Sequence, residues 1–309
     1  MTRRLALLVL LAGCASAPAP RTPLDTPLDA TGDARPARGG GARGTLLIAG
    51  GGPMPATVMN RFVELAGGPG RARIVLFPMA SGDTTAGQAQ AAQWRARGID
   101  ARVVRIARAQ ATDSVARLLD SVTGIWFGGG DQNRLTAAIG GTPVERAIHA
   151  RYAAGAVVGG TSAGAAVMTG VMLTGDERRP GGDRPPRDST SADAWMTIAA
   201  DNVVTARGFD LLPGAVVDQH FLRRRRHNRL ISLVLERPTL VGLGIDESTA
   251  LEVQPGGAWR VVGSGQVLVY DARRAQGTRT GGLGAAGVAL HVLPPGSTFE
   301  PQRAAVTLP

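Results

Sequence analysis

A chain of 309 residues with 44% hydrophobic and 19% charged residues is long enough to bury a substantial core, as one large domain or two small ones. Disorder cannot be its main state. The formal net charge of +10 invites a nucleic-acid reading, but all 34 basic residues are Arg and aromatics are only 4%. That pattern reads as compositional bias without stacking platforms, and no nucleic-acid partner is expected.

At the amino end, Arg3 and Arg4 precede an apolar run from Leu5 to Ala12. The run is too short for a hydrocarbon core of about 30 Å and suits a signal peptide. Leu11-Ala12-Gly13-Cys14 resembles the bacterial lipoprotein cleavage box, in which the cysteine is lipidated and becomes the first mature residue. The expectation is a signal peptide over 1–13, a lipid anchor at Cys14 and an exported cell-envelope protein. The alternative is an ordinary cleaved signal with an incidental cysteine. Cys14 is the only cysteine, which leaves no intramolecular disulfide and no thiol for catalysis or metal. The remainder of 14–43 is Ala, Pro, Arg, Gly and Thr with hardly any large apolar residue. It reads as a flexible tether to a domain over 44–309.

Within that domain, Thr45 to Ala49 reads as a strand running into Gly50-Gly51-Gly52, and Val58 to Leu65 as a helix. Arg73 to Phe77 is a strand, about Ala86 to Arg97 a helix, Arg102 to Ile106 a strand and Ser114 to Ser121 a helix. Gly124 to Phe127 is a strand that breaks into Gly128-Gly129-Gly130-Asp131-Gln132, with helices on either side of Gly141. Ala156 to Val158 is a short strand entering Gly159-Gly160-Thr161-Ser162, followed by an Ala-rich helix over Ala163 to Met168. This alternation predicts an α/β fold with an open, mostly parallel sheet flanked by helices. The polar stretch from Gly175 to Asp193 reads as an insertion or lid. Val216 to His220 is then a strand end, Phe221 to Glu236 an Arg-rich amphipathic helix, and Val241 to Ile245 a buried strand. Runs at Leu251 to Val253, Trp259 to Val262 and Val267 to Tyr270 predict antiparallel strands at one edge of the sheet, near the C-terminus.

Gly160-Thr161-Ser162-Ala163-Gly164 fits the G-x-S-x-G elbow with a strand before it and a helix after it. A serine there is held in a strained turn at a helix amino end, where free N–H groups, Ala163 first, can hold an oxyanion. A helix-capping serine in a tight turn is the plain alternative. The hydroxyl needs a base, and the histidines are His149, His220, His227 and His291. His149 lies in a helical pattern, His227 among arginines and His291 in a late strand. His220, in Asp218-Gln219-His220-Phe221 at a strand's carboxyl end, is the candidate. Gly244-Ile245-Asp246-Glu247 places two acids after another buried strand, and spacing does not choose between Asp246 and Glu247. Gly129 and Gly130 can complete the oxyanion hole and Gln132 can bind substrate amides. The glycine cluster is no phosphate loop, lacking the Lys-Ser/Thr ending. The scattered histidines offer no metal site, and no cofactor is implied.

Together, Phe127 to Gln132, Gly160 to Ala165, Asp218 to Phe221 with Arg224, Arg226, Arg229 and Leu230, and Gly244 to Glu247 resemble the cyanophycinase family of serine peptidases. These are relatives of dipeptidase E with a class I glutamine amidotransferase-like fold, and the likeness runs roughly from Thr45 to Tyr270. It implies a Ser-His-Glu triad at Ser162, His220 and Glu247, with substrate contacts from Gln132, Asp218, Arg224, Arg226 and Arg229. It also implies a homodimer and, as substrate, cyanophycin, a poly-aspartate carrying arginine on its β-carboxyls, cleaved to β-Asp-Arg dipeptides. Guanidinium forks suit substrate carboxylates, although the arginine spacing does not put all of them on one helical face. An isoaspartyl or other dipeptidase of the same family is the nearest competing reading. An α/β-hydrolase, with the order Ser, acid, His, would make His291 the base. A non-enzymatic lipid-anchored binding protein on an old fold is the reading from another class.

Overall fold

The computed structural model describes residues 42–178 and 197–309. The expected signal peptide over 1–13, Cys14, the tether as far as residue 41 and residues 179–193 of the insertion lie outside the described residues. Among those described, no helix is long and apolar enough to cross a membrane.

In chain order the first half comprises β1 (Leu46–Ala49), α1 (Ala56–Leu65), β2 (Arg73–Phe77), α2 (Gln88–Ala96), β3 (Asp100–Val103), α3 (Asp113–Ala116), β4 (Gly124–Phe127), α4 (Gln132–Ile139), α5 (Pro143–Ala153), β5 (Val157–Thr161) and α6 (Ala163–Ala166). The second half comprises β6 (Val171–Glu177), β7 (Val203–Arg207), β8 (Ala215–Gln219), α7 (His227–Glu236), β9 (Val241–Ile245), β10 (Thr249–Val253), β11 (Trp259–Gly263) and β12 (Val267–Asp271). It ends with β13 (Gln276–Thr278), β14 (Gly284–Ala286), β15 (Ala289–Leu293), β16 (Thr298–Glu300) and β17 (Ala305–Thr307).

The α/β architecture is as expected. A nine-stranded mixed sheet runs β17-β16-β11-β10-β1-β5-β4-β2-β3. Its run from β1 to β3 is parallel, as short apolar strands covered by helices on both faces require. The antiparallel strands β10, β11, β16 and β17 extend it beyond β1. Strand alternation divides the core between the two faces. Leu47, Ile74, Leu76 and Trp126 pack under α1 and α2 with Val58, Phe62 and Trp94. Ile48, Val75, Phe77, Ile125 and Val158 pack on the other side with Leu135, Ile139, Val144 and Ile148 of α4 and α5.

The late strands do not all join one edge. β12 pairs with β9 and β15 in a separate four-stranded sheet, order β15-β12-β9-β8, in which β8 and β9 are parallel. One face of this sheet, with Val217, Leu243, Ile245 and Val269, shares the core of the large sheet. The other, with Val216, Leu268 and Tyr270, is covered by Phe221 and by Leu230, Leu233 and Val234 of α7. The chain crosses from small sheet to large between β9 and β10, and residues 246–248 make that crossing.

Three local expectations shift. The third strand starts at Asp100, because pairing with β2 aligns Asp100 with Arg73. The helix expected from Phe221 begins only at His227. Asp246 Oδ1 accepts the N–H groups of Leu222 and Arg223 at 3.1 Å each, and Arg225 takes φ 52°, so residues 221–226 form a turn. The polar stretch begins as half of a β-ribbon, β6 with β7, which the composition hid.

Trp126 is almost fully buried and its ring lies 4.8 Å from Phe62 and 6.5 Å from Trp94. Trp126→Ala opens a cavity at the centre of this cluster, and equilibrium denaturation is expected to read a loss of about 3–5 kcal/mol.

Candidate active site

The residues with chemistry converge where the two sheets meet. Ser162 follows β5 of the large sheet, His220 follows β8 of the small one, and Glu247 sits on the crossing between β9 and β10. Each segment is tied to the end of β1. The Ser162 N–H donates to the Ala49 carbonyl at 3.0 Å, the His220 N–H to Gly50 at 2.7 Å and the Ser248 N–H to Gly51 at 2.9 Å. All three donors have positive φ, at 55°, 50° and 57°. Such backbone costs on the order of 1–3 kcal/mol per non-glycine residue and persists only where its surroundings impose it.

The elbow needs its glycines for space. A Cβ on Gly160 would collide with the Gly164 backbone, and one on Gly164 with the Phe127 carbonyl. Gly51 and Gly52 form the floor under the other two groups: a Cβ on Gly51 would enter the His220 ring, and one on Gly52 would press on Glu247. These two glycines belong to the site, and reading motifs one at a time passed over them. The available signal was a run of three glycines at a strand's carboxyl end, where α/β sheets place ligands.

His220 Nε2 lies 2.9 Å from Ser162 Oγ, and His220 Nδ1 lies 2.7 Å from Glu247 Oε1. In the neutral tautomer this geometry selects, Nδ1–H donates to Glu247 while Nε2 accepts the Ser162 hydroxyl. The geometry thus separates the two acids: Glu247 faces the imidazole, and Asp246 clamps the turn after it. The other histidines are engaged elsewhere. His149 Nε2 meets the Phe209 carbonyl at 2.7 Å, His227 Nδ1 meets the Tyr270 hydroxyl at 2.6 Å, and His291 packs on Phe299. The order along the chain is therefore Ser, His, Glu, unlike that of the α/β-hydrolases.

Ser162 opens on a cleft of about 380 Å³ lined by Gly130, Asp131, Gln132, Thr174, Gly175, Asp176, Gln219, Arg224, Arg226 and Arg229. Gly129 lies against the Ser162 side chain. Among the described residues, the N–H groups of Gly129 and Gly130 donate to no carbonyl. Ala163 is the first residue of α6, so its N–H has no intrahelical acceptor. Gln132 borders the cleft but is buried, and its Nε2 is spent on the Leu173 and Thr174 carbonyls at 2.7 Å each. Asp218 is fully buried behind the wall. It grips Arg229 with both oxygens, Nε at 2.7 Å, and lies 3.5 Å from Arg226, so it meets the cleft through these arginines. Gln219, to which the motif reading gave no role, lines the cleft with a buried Oε1 that has no hydrogen-bond partner.

Burial lowers the basicity of His220 below its ordinary value near 6.5; the Glu247 hydrogen bond opposes the shift and the Arg224 and Arg226 charges add to it. Burial, reinforced by the neighbouring Arg229, lowers Arg226 to about 9. Arg226 is nonetheless charged near neutrality.

A model of peptidase family S51 matches residues 45–261. A cyanophycinase of Trichormus variabilis is 34% identical over 196 residues, covering 61% of this chain and 60% of that protein. One of Thermosynechococcus vestitus is 37% identical over 168 residues, 54% of this chain and 47% of its own. A third, of Geminocystis herdmanii, is 34% identical over 242 residues, 76% and 83%. The chain thus spans about half to 60% of the first two relatives' length. Among solved structures, a peptidase from an acI-B1 Actinobacterium superposes with a TM-score of 0.60 at 20% identity, over 84% of this chain and 98% of its own, a likeness of fold.

Because the folded-state pKa of His220 is depressed, the unfolded chain takes up its proton first as pH falls. Its contribution to stability is complete above about pH 6.5 and is lost as pH falls from there through the folded value. An NMR titration of the imidazole is expected to place its midpoint below 6.5, and Glu247→Gln, by replacing the opposing carboxylate with a neutral amide, moves it lower still.

Proposed function

The chain belongs to peptidase family S51, and from that premise we propose that it is a serine exopeptidase of the cyanophycinase kind. The observation that carries the reading is the unbroken hydrogen-bond path from Ser162 through His220 to Glu247. Ser162 Oγ attacks the substrate carbonyl while His220 Nε2 takes its proton. Glu247 holds the ring in the required tautomer and stabilises the imidazolium that forms. The N–H groups of Gly129, Gly130 and Ala163 receive the charge that develops on the carbonyl oxygen. His220 returns the proton to the departing amine, an acyl-enzyme remains on Ser162, and water activated by the same histidine releases it.

For the substrate, the proposal is cyanophycin, cut to β-Asp-Arg dipeptides. The relatives that carry the name cyanophycinase support it, and so does the chemistry of the cleft. Arg224, Arg226 and Arg229 line the cleft, and guanidinium groups suit peptide carboxylates. The cleavage box before Cys14 supports export and a lipid anchor, which would bring the enzyme to substrate outside the cytoplasm.

Purified protein incubated with cyanophycin is expected to release β-Asp-Arg, identified by mass spectrometry. Ser162→Ala abolishes release while its circular dichroism and melting stay those of the parent; retained turnover overturns the mechanism. Cleavage of isoaspartyl dipeptides but not of polymer in the same assay would assign the dipeptidase specificity instead. Gly51→Ala forces a methyl group into the His220 ring and is expected to lower kcat by about 10²-fold, the order of loss that follows an ångström-scale misplacement.

A further inference from the structure

Besides the arginines, the cleft is lined by residues of β6, and this strand is irregular where it meets the cleft. Its pairing with β7 shifts register between Leu173 and Glu177. Bulges of this kind re-aim side chains and cluster beside active sites. Here the displaced residues are Thr174, Gly175 and Asp176, all lining the cleft. The irregular stretch is held from below by Gln132, which gives its two amide hydrogens to the Leu173 and Thr174 carbonyls. Those hydrogens are therefore not left for substrate, and Gln132 acts on the cleft through the shape of β6.

Two carboxylates border the cleft and their situations differ. Asp131 is committed: Oδ1 accepts the Asn133 N–H at 2.9 Å as the cap of α4, and Oδ2 lies 3.9 Å from Arg134. Asp176 forms no ion pair with a described residue. Its Oδ2 lies 3.1 Å from a Thr174 hydroxyl that is shared with the Val204 carbonyl, also at 3.1 Å. A half-buried carboxylate with only a shared neutral donor favours a cation from outside the chain. The cleft thus carries arginines backed by buried Asp218 and, on β6, one carboxylate that forms no ion pair with a described residue.

Resting on the reading of this cleft as a peptide site, we propose that Asp176 selects substrates by accepting the cationic side chain, guanidinium or ammonium, of the bound peptide. Gln132 is the residue that positions it. The cleft accordingly takes a zwitterionic ligand, its carboxylate toward Arg224 and Arg226 and its side-chain cation toward Asp176.

The test separates binding from turnover. In a Ser162→Ala host, which cannot cleave, calorimetry compares β-aspartyl-arginine with β-aspartyl-citrulline, where a neutral ureido group replaces guanidinium. Arginine is expected to bind about tenfold more tightly, the worth of one charged hydrogen bond in a partly open site. Adding Asp176→Asn brings the ratio close to one, and Asp176→Glu restores most of it. Adding Gln132→Leu, with an unchanged melting temperature as the check on folding, also collapses the ratio. Equal binding of the two dipeptides, no binding of either, or a ratio that survives Asp176→Asn overturns the proposal. Binding that discriminates in this way, in a protein whose Ser162 form cleaves nothing, overturns the peptidase reading and leaves the role of Asp176 standing.

Discussion

The carbonyls of Ala49, Gly50 and Gly51 point in succession at the N–H groups of Ser162, His220 and Ser248. These three acceptors on one short stretch of chain gather segments far apart in sequence and drawn from two sheets. A serine hydroxyl, an imidazole and a carboxylate act together only within hydrogen-bond reach, and an error of an ångström breaks the path. The end of β1 sets their spacing through backbone geometry, which no side-chain rotamer can loosen. The same hydrogen bonds offset the cost of positive φ at all three donors. They also leave no room for a side chain at Gly51 or Gly52, because the imidazole and the carboxylate occupy that space.

Around this centre the protein keeps its charges in ordered pairs. Arg61 binds Glu252 at 2.8 Å and Arg207 binds Glu145 at 3.0 Å, each joining distant parts of the chain, while Arg273 binds Asp271 at 2.6 Å within one strand end. Burial on its own would raise the Glu252 carboxyl, and the bidentate Arg61 more than offsets it. The pairing of Asp218 with Arg229 and Arg226 is different in kind, because all three groups are buried and burying charge carries a desolvation cost. What that arrangement supplies is orientation. It fixes the guanidinium groups of Arg226 and Arg229 at the cleft, and the Arg226 charge disfavours protonation of His220.

The Ser162 elbow was legible from the sequence because its signature is local: Gly160-Thr161-Ser162-Ala163-Gly164 lies between a strand and a helix, and a sharp reversal there demands small neighbours. The parallel core was legible for a similar reason, since apolar runs such as Arg73 to Phe77 and Gly124 to Phe127 bounded by glycine or proline read as buried strands. His220 also stood out, at the carboxyl end of a strand, where such folds present their chemistry. Chain order and residue type therefore sufficed for the fold class, and they singled out Ser162 and His220 as the residues to look for at the site.

Other features depended on pairing across the chain, which no local window carries. Asp246 and Glu247 are adjacent in sequence, and only the crossing between the two sheets turns one to the turn at Leu222 and the other to the imidazole. Arg224 and Arg226 leave the expected helix because Asp246, some twenty residues on, holds the preceding turn. Gln132 reads in isolation as an amide ready for substrate, yet a strand about forty residues later takes its hydrogens. The sequence by itself determined the fold class and which candidate groups stand at the ends of strands. Tertiary structure alone decided which of them face one another, because hydrogen bonds between distant segments, not the spacing along the chain, set the distances on which that chemistry depends.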